Sequence, residues 1–431
     1  MKRHSRALLR LLQLPFSEKA TGTAFRAPQR PAWCTAGSAV QGLRKVVTIQ
    51  SGKEVVFVMR SNHLFAVLAA LALAMNGAVA ASAAGTIKIG VAGAHSGDLA
   101  SYGLPTLKAV QLVVRNVNEK GGVNGTPLEL LIEDDACKPE IATNTATKLV
   151  SSGVRAVIGH TCSGATKAAL PIYRDAKVLV ISPSATTPGL TQSGEYPNFY
   201  RTIAADDTQA RAQVNFAVGI LKVNKIAVLH DKGDYGKGLA EYARTFIEQS
   251  GKAEVVLFEG ITPGAVDYSA VIQKVKRSGA EAVLFGGYHP EASKIVGQMR
   301  QKRMTIAFVS DDGVKDDTFL KVAGQDAEGV YATGPADVSG NPITKAYREQ
   351  FRKTEGTDPG AFFDNAVAAA LALTGAMVTA GSAEPEAVAK ALQTSEVATP
   401  FGRIKFDAKG EPIGIGFSIY QVKNSQFVQV Q

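Results

Sequence analysis

The sequence predicts an α/β protein made of two doubly wound lobes that face each other across a cleft. Three observations predict it. Short apolar runs alternate with amphipathic helical stretches, the whole alternation is gone through twice, and glycine- and hydroxyl-rich loops follow the runs. Continuous apolar runs of about four to eight residues read as strands buried on both faces, the pattern of a parallel sheet covered by helices. In such sheets ligands bind beyond the carboxyl ends of the strands.

The elements follow in order. I-K-I-G-V-A-G-A at 87–94 is a strand, then comes the loop S-G-D-L-A-S-Y-G, then a helix over 107–117. Strands over 128–133, 156–159 and 178–182 alternate with helices over 141–151 and 165–175, the second containing Pro171. The pattern restarts with strands over 226–229, 255–258, 282–285 and 306–309, separated by helices over 236–250, 268–277 and 291–302. Leu239, Ala243, Phe246 and Ile247 share one face of the helix over 236–250, so that face is buried. Helices over 342–354, 362–380 and 385–392 and a β-rich tail from Phe401 complete the chain.

Charge argues against a nucleic-acid partner. The chain has 47 Lys/Arg and 38 Asp/Glu, a formal charge of +9. Residues 1–80 hold eleven of the bases and two of the acids, which leaves 36 of each in the remainder and no net charge there. The basic balance therefore belongs to a leader. From Met59 that leader has the parts of an export signal. Arg60 is the positive start, residues 64–75 are an apolar run of twelve, and Ala78-Val79-Ala80 is a small-x-small cleavage site, with Ala81-Ser82-Ala83 an equal alternative. The run falls short of the ~20 residues of a membrane span. A signal peptide over 59–83 is expected, with no cysteine directly at the cut to carry a lipid. Residues 1–58 are Arg-rich, contain Pro15, Pro28 and Pro31, and show no period. They are expected to be a disordered extension translated in error upstream of the true start, the rival reading being a targeting extension. Amino-terminal sequencing of the exported protein checks this. The mature chain should begin just after Ala80 or Ala83, and a terminus before residue 75 contradicts the assignment.

Beyond the leader only Cys137 and Cys162 remain. An even count in an exported chain reads as a disulfide. A closed loop of 25 positions is worth very roughly 3 kcal/mol in the chain-entropy model. The alternative is a nucleophilic Cys162 with His160 as its base, in I-G-H-T-C-S-G-A-T at 158–166. No Asp or Asn orienter can be assigned to it, and a thiol nucleophile needs a free thiolate. His230 and His289 stand singly in unrelated loops and no C-x-x-C occurs, so no metal site or other cofactor is expected.

The loop H-T-C-S-G follows a strand and opens a helix, whose free N–H groups suit a carboxylate. The next strand ends at S-P-S-A-T-T-P-G. Ser163, Ser184 and Thr186 thus stand at neighbouring strand ends, although a lone Ser or Thr is more often a cap. Tyr102, Tyr235 and Tyr288 lie in three strand-end loops, where they give apolar walls with polar tips. G-D-Y-G-K-G at 233–238 lacks phosphate-loop spacing, and its glycines serve the turn from strand to helix. Asp311-Asp312-Gly313 ends a further strand and offers a carboxylate to an ammonium, or is a solvated turn.

These stretches, with D-D-A-C-K-P, V-L-H-D-K-G-D-Y-G-K-G-L-A and G-G-Y-H-P-E, run in order through both units. From about Thr86 onward the chain resembles the periplasmic leucine/isoleucine/valine-binding proteins of bacterial ABC importers. The resemblance implies the type I periplasmic-binding-protein fold, two Rossmann-like lobes joined by a multi-strand hinge. Residues 86–205 plus 336–415 would form lobe 1, and 206–335 plus 416–431 lobe 2. It implies a periplasmic monomer that closes on a free amino acid and meets permease subunits in the inner membrane. By carry-over, Ser163 and the Thr186 amide hold the ligand carboxylate. The Ser184 carbonyl, the Thr186 hydroxyl and Asp312 hold its ammonium, and Tyr102, Tyr235, Tyr288 and Phe362 line the side-chain pocket. Cys137 and Cys162 match the family's disulfide. Two departures stand out: Asp312 replaces a common glutamate, one methylene longer, and Ser184 replaces an alanine. A binder of amides or aromatic acids, or a ligand sensor for a receptor, is the alternative on the same fold.

Overall fold

The computed structural model describes residues 85–431, so the expected extension (1–58) and signal peptide (59–83) lie outside the described residues. The first five strands are β1 (Ile87–Gly93), β2 (Leu128–Asp134), β3 (Ala156–Ile158), β4 (Leu179–Ser182) and β5 (Phe199–Arg201). They form one parallel sheet in the order β2-β1-β3-β4-β5. Then follow β6 (Lys225–His230), β7 (Glu254–Gly260), β8 (Ala282–Gly286), β9 (Ala307–Ser310) and β10 (Tyr331–Pro335). After a small hairpin of β11 (Val397–Thr399) and β12 (Gly402–Ile404) come β13 (Phe417–Lys423) and β14 (Gln426–Gln429). The second sheet runs β14-β13-β10-β9-β8-β6-β7, parallel except where β13 and β14 join antiparallel.

Each sheet is buried on both faces. On one face of the first sheet, Ile89, Ile158 and Ile181 meet the helices Ala100–Glu119 and Phe363–Ala380. On the other, Val157 and Val180 meet Leu149, Leu170 and Tyr173. The second sheet divides in the same way, with Leu229 and Phe285 on one side and Val228 and Leu284 on the other. Facing two ways is why these strands read as unbroken apolar runs. The helix Phe363–Ala380 is long and apolar enough to cross a membrane, but 67% of it is buried here, as the central helix of a core.

The chain passes between the two sheets three times. It leaves the first after β5, returns after β10 to lay the helices Pro342–Glu355 and Phe363–Ala380 on it, and leaves again to add β13 to the second. Strand order reverses between β1 and β3 in one sheet and between β6 and β8 in the other. The loops beyond β1, β3, β4, β6, β8 and β9 are therefore the ones placed to take a ligand.

Three features differ from the sequence expectation. The first helix begins at Ala100, not near residue 107. Gly103 and Pro105 look like loop residues, yet Pro105 lies inside the helix, and Gly103 is required there because a Cβ would sit 1.9 Å from the Ala94 carbonyl oxygen. Tyr102 and Tyr235 consequently lie in the first turns of helices and Tyr288 caps one, so helix ends hold all three in place. The strands β5 and β10 and the helix Asp206–Val214 had no sequence signal. That helix hides polar side chains, including Gln209 and Gln213, in place of an apolar stripe.

Candidate functional site

Tyr102, Thr161, Cys162, Ser163, Ser184, Tyr235, Tyr288, Asp312, Gly313 and Phe362 surround a cavity of about 270 Å³ of empty space between the two sheets. Seven of the eight binding residues expected from sequence line it, and the eighth, Thr186, is fully buried just behind Ser163. A larger open groove of about 1000 Å³ shares Asp312 and Phe362 with the cavity. The convergent donors and acceptors are at the smaller one.

On the first lobe, Ser163 opens the helix Ser163–Asp175. Its hydroxyl oxygen accepts the Thr186 N–H (3.2 Å) and the Thr187 N–H (3.3 Å), which leaves its own O–H free to donate into the cavity. The amides of that helix's first turn have no partner within the helix and add positive potential. The Thr186 amide, expected to face a ligand, is thus engaged by Ser163 in this structure. The Ser184 hydroxyl donates to the Thr161 carbonyl (2.7 Å) and is thereby committed within the first lobe's loops. Arg201, fully buried, fixes this loop from behind by donating to the Ala185 and Thr187 carbonyls, both at 3.0 Å.

On the second lobe, the adjacent acids have separate tasks. Asp311 turns inward and accepts the Gly287 N–H (2.8 Å), tying the loop after β9 to the loop after β8. Asp312 faces the cavity. One of its oxygens, Oδ1, accepts from Gln209 Nε2 (2.8 Å) and from the Tyr235 hydroxyl. The backbone amides of Asp312 and Gly313 also favour its charged form. Burial pushes the Asp312 carboxyl above its ordinary value, and the donors Gln209 and Tyr235 oppose that shift.

Between the two ends stand the rings. Tyr288 lies 6.0 Å from Tyr102 and 5.3 Å from Tyr235, and Phe362 lies 5.8 Å from Tyr102. Phe362 adopts a left-handed φ of 61° at the start of its helix, a conformation costly for a bulky residue. Burial raises all three phenols well above the ordinary tyrosine value, so they stay neutral donors. Tyr102 donates to the Gly313 carbonyl and accepts the His289 N–H (3.4 Å), which joins the lobes at the cavity's edge. At the mouth Lys167 meets Asp234 at 2.7 Å, an exposed pair of small energetic weight. Gly236 is where its loop demands glycine, since a Cβ there would meet the Gly286 carbonyl oxygen at 2.3 Å.

Cys162 is bonded to Cys137, so its sulfur is no free thiolate. His160 pairs through Nδ1 with Asp135 (2.5 Å) and through Nε2 with the Tyr173 hydroxyl (3.0 Å), so neither nitrogen is turned to the sulfur. The nucleophile reading does not fit this geometry. His230 accepts the Lys232 N–H (3.1 Å) and His289 pairs with Ser101 (3.2 Å). Among the described residues no group of three or more His, Cys, Asp or Glu is placed to hold a metal.

The family profile described as "Periplasmic binding protein" matches residues 86–426. A leucine-, isoleucine-, valine-, threonine- and alanine-binding protein of Pseudomonas aeruginosa is 38% identical over 362 residues, covering 84% of this chain and 95% of its own. The Leu/Ile/Val-binding protein of Escherichia coli is 35% identical over 334 residues, covering 78% and 90%. The chain belongs to the periplasmic leucine/isoleucine/valine-binding protein family. Solved structures agree on the fold. A leucine-binding protein of Thermotoga maritima superposes with a TM-score of 0.75 at 25% identity, covering 80% of this chain and 98% of its own. A branched-chain amino acid transporter substrate-binding protein of Streptococcus pneumoniae, in complex with isoleucine, gives 0.72 at 28% identity, covering 80% and 100%. Members of this family work outside the cytoplasm.

In this periplasmic binding protein, sequence reasoning missed Thr161, Arg201, Asp206 and Gln209. Thr161 stood inside the quoted loop and was passed over. The other three lie in F-Y-R-T-I-A-A-D-D-T-Q, a stretch with no repeat and no motif. Only the three-dimensional structure shows that its Arg, Asp and Gln are all buried.

Proposed function

We propose that this chain is the extracytoplasmic solute-binding component of an ABC importer. It captures a branched-chain or other hydrophobic amino acid between its lobes and delivers it to permease subunits in the membrane. The observation that carries this is the polarity of the cavity. A hydroxyl and a helix N-terminus stand on one lobe, a cavity-lining carboxylate stands on the other, and buried rings lie between them. That set complements a zwitterion with an apolar side chain. An amide or an aromatic acid has no ammonium and would leave Asp312 buried without a counter-charge, a costly arrangement. A ligand touching both lobes favours the closed state by its extra contacts there, and the closed shape is what a permease would recognise.

A thermal-shift screen of residues 84–431 against the standard amino acids tests the reading. Hydrophobic amino acids should raise the midpoint in a concentration-dependent way. Ser163→Ala should weaken the best ligand by roughly 10- to 100-fold, the worth of a hydrogen bond to a charged group. If no amino acid shifts the midpoint, the reading is wrong.

A further inference from the structure

His289 opens the helix His289–Gln301 of the second lobe, yet it meets the first lobe at three points. Its Nε2 pairs with the Ser101 hydroxyl (3.2 Å), and its backbone N–H donates to the Tyr102 hydroxyl (3.4 Å). Its ring lies edge-on to the Tyr102 ring, with centroids 5.4 Å apart. Ser101 and Tyr102 stand in the first turn of the helix Ala100–Glu119, so two helix N-termini meet at this imidazole. The positive potential of a helix N-terminus disfavours a second positive charge there. His289 is 3% exposed, and its Nδ1 is buried without a hydrogen-bond partner. The charged groups that face it are acids: Asp316 ahead of the helix Asp317–Ala323, Glu291 on its own helix, and Asp98 in the loop after β1. The Tyr102 phenol beside it stays neutral. Burial, the largest influence, pushes the His289 pKa below the ordinary histidine value, and the three acids and the Asp98 backbone oppose that shift without reversing it.

We propose that His289 is a positioning residue of the closed state: as a neutral ring it clamps the second lobe onto Ser101 and Tyr102 of the first, and on protonation in mild acid it lets the lobes part and the ligand leave. This rests on the amino-acid reading above for the choice of ligand. His289 does not line the cavity, so it acts through Tyr102, which does, and through the fraction of the protein that is closed. When the lobes part, the ring loses Ser101 and Tyr102 and returns to water, where its proton affinity is that of an ordinary histidine, near pH 6.5. Protons therefore bind the open form more readily than the closed one, and acid shifts the population toward the open form. The clamp holds in full above the ordinary value and weakens as the pH falls from there toward the depressed one.

The test follows leucine binding to residues 84–431 between pH 7.5 and pH 5 in the parent, His289→Ala and His289→Gln. Calorimetry gives the affinity and stopped-flow tyrosine fluorescence the release rate. At pH 7.5 the alanine variant should release leucine about 3- to 10-fold faster, the worth of one hydrogen bond between the lobes. The glutamine variant still pairs with Ser101 and should restore most of that loss. Between pH 7.5 and pH 5 the parent should lose about 3- to 30-fold more affinity than the glutamine variant, chiefly through faster release. The acids of the cavity, Asp312 among them, titrate in both proteins, so the ratio of parent to variant isolates the histidine. A ratio that stays constant with pH, or that moves in the parent's favour in acid, overturns the proposal. So does an alanine variant that melts lower but releases leucine at the parental rate, the mark of a scaffold residue. If the His289 variants do not fold, Ser101→Ala carries the test: it should speed release about 3- to 10-fold, and an unchanged rate overturns the clamp. A parent that binds no free amino acid at pH 7.5 sinks the amino-acid reading and the clamp with it, whereas a parent that binds leucine with a constant ratio sinks only the role of His289.

Discussion

Replacing Asp312 by alanine is expected to weaken leucine binding by roughly 30-fold to several thousand-fold, about 2–5 kcal/mol, the usual cost of truncating one partner of a buried hydrogen-bonded charge pair. The side chain lines the cavity. Gln209 and Tyr235 donate to one of its oxygens and thereby orient the other. Those donors gain nothing from an alanine, and a bound ammonium would face buried dipoles in place of a charge. Stability should move the other way. Burial raises the Asp312 carboxyl in the folded state. A raised acid stabilises the fold only below its ordinary pKa and loses that contribution as pH climbs through the raised value. At neutral pH the ligand-free alanine variant should therefore melt no lower than the parent. Titration calorimetry and thermal melting check the pair of outcomes. An alanine variant with parental affinity contradicts the placement of the ammonium.

The second large effect is on the scaffold. Arg201→Met should destabilise the protein by about 3–5 kcal/mol in chemical denaturation, because it breaks a buried charge network from one side. Arg201 is 0% exposed. Its Nε and Nη2 hold the Glu411 carboxylate at 3.1 and 2.6 Å, Nη2 also donates to the Thr191 hydroxyl, and Nη1 holds the Ala185 and Thr187 carbonyls. Without the guanidinium, Glu411 loses its counter-charge and keeps only the Thr191 hydroxyl, and two loop carbonyls lose a donor. Those carbonyls flank Thr186, so affinity should fall together with stability, unlike in the Asp312 variant. Arg201→Lys should not rescue it, since an ammonium cannot span a carboxylate and two carbonyls as the planar fork does. A loss below about 1 kcal/mol, the size typical of an exposed pair, contradicts this account.

The contrast between these two residues shows what was legible in the sequence. Asp312 ends an apolar strand, and acids at strand ends of doubly wound sheets are visible from the pattern alone. The same holds for Ser163, Ser184 and the three tyrosines, each just past an apolar run. Which of Asp311 and Asp312 faces the cavity was not legible from composition, because it depends on a turn that sends one to the Gly287 amide. Arg201 was not legible at all. It closes the three-residue strand β5, too short for a periodic signal, and its partner Glu411 is 210 positions away. The helix Asp206–Val214 escaped for a related reason. Its buried side includes Gln213 donating to the Ser310 carbonyl (2.9 Å) and Gln209 donating to Asp312. Periodicity finds apolar faces, and this face is held by hydrogen bonds.

The most direct test is calorimetric titration of residues 84–431 with leucine, with its 2-hydroxy analogue, and with 3-methylbutylamine, which keeps the ammonium and side chain but has no carboxylate. Saturable one-to-one binding of leucine is expected, with each analogue weaker by at least about 30-fold, since each leaves one buried partner unpaired. Equal binding of all three, or no binding of leucine or any other free amino acid, would contradict a cleft built to hold both ends of a zwitterion.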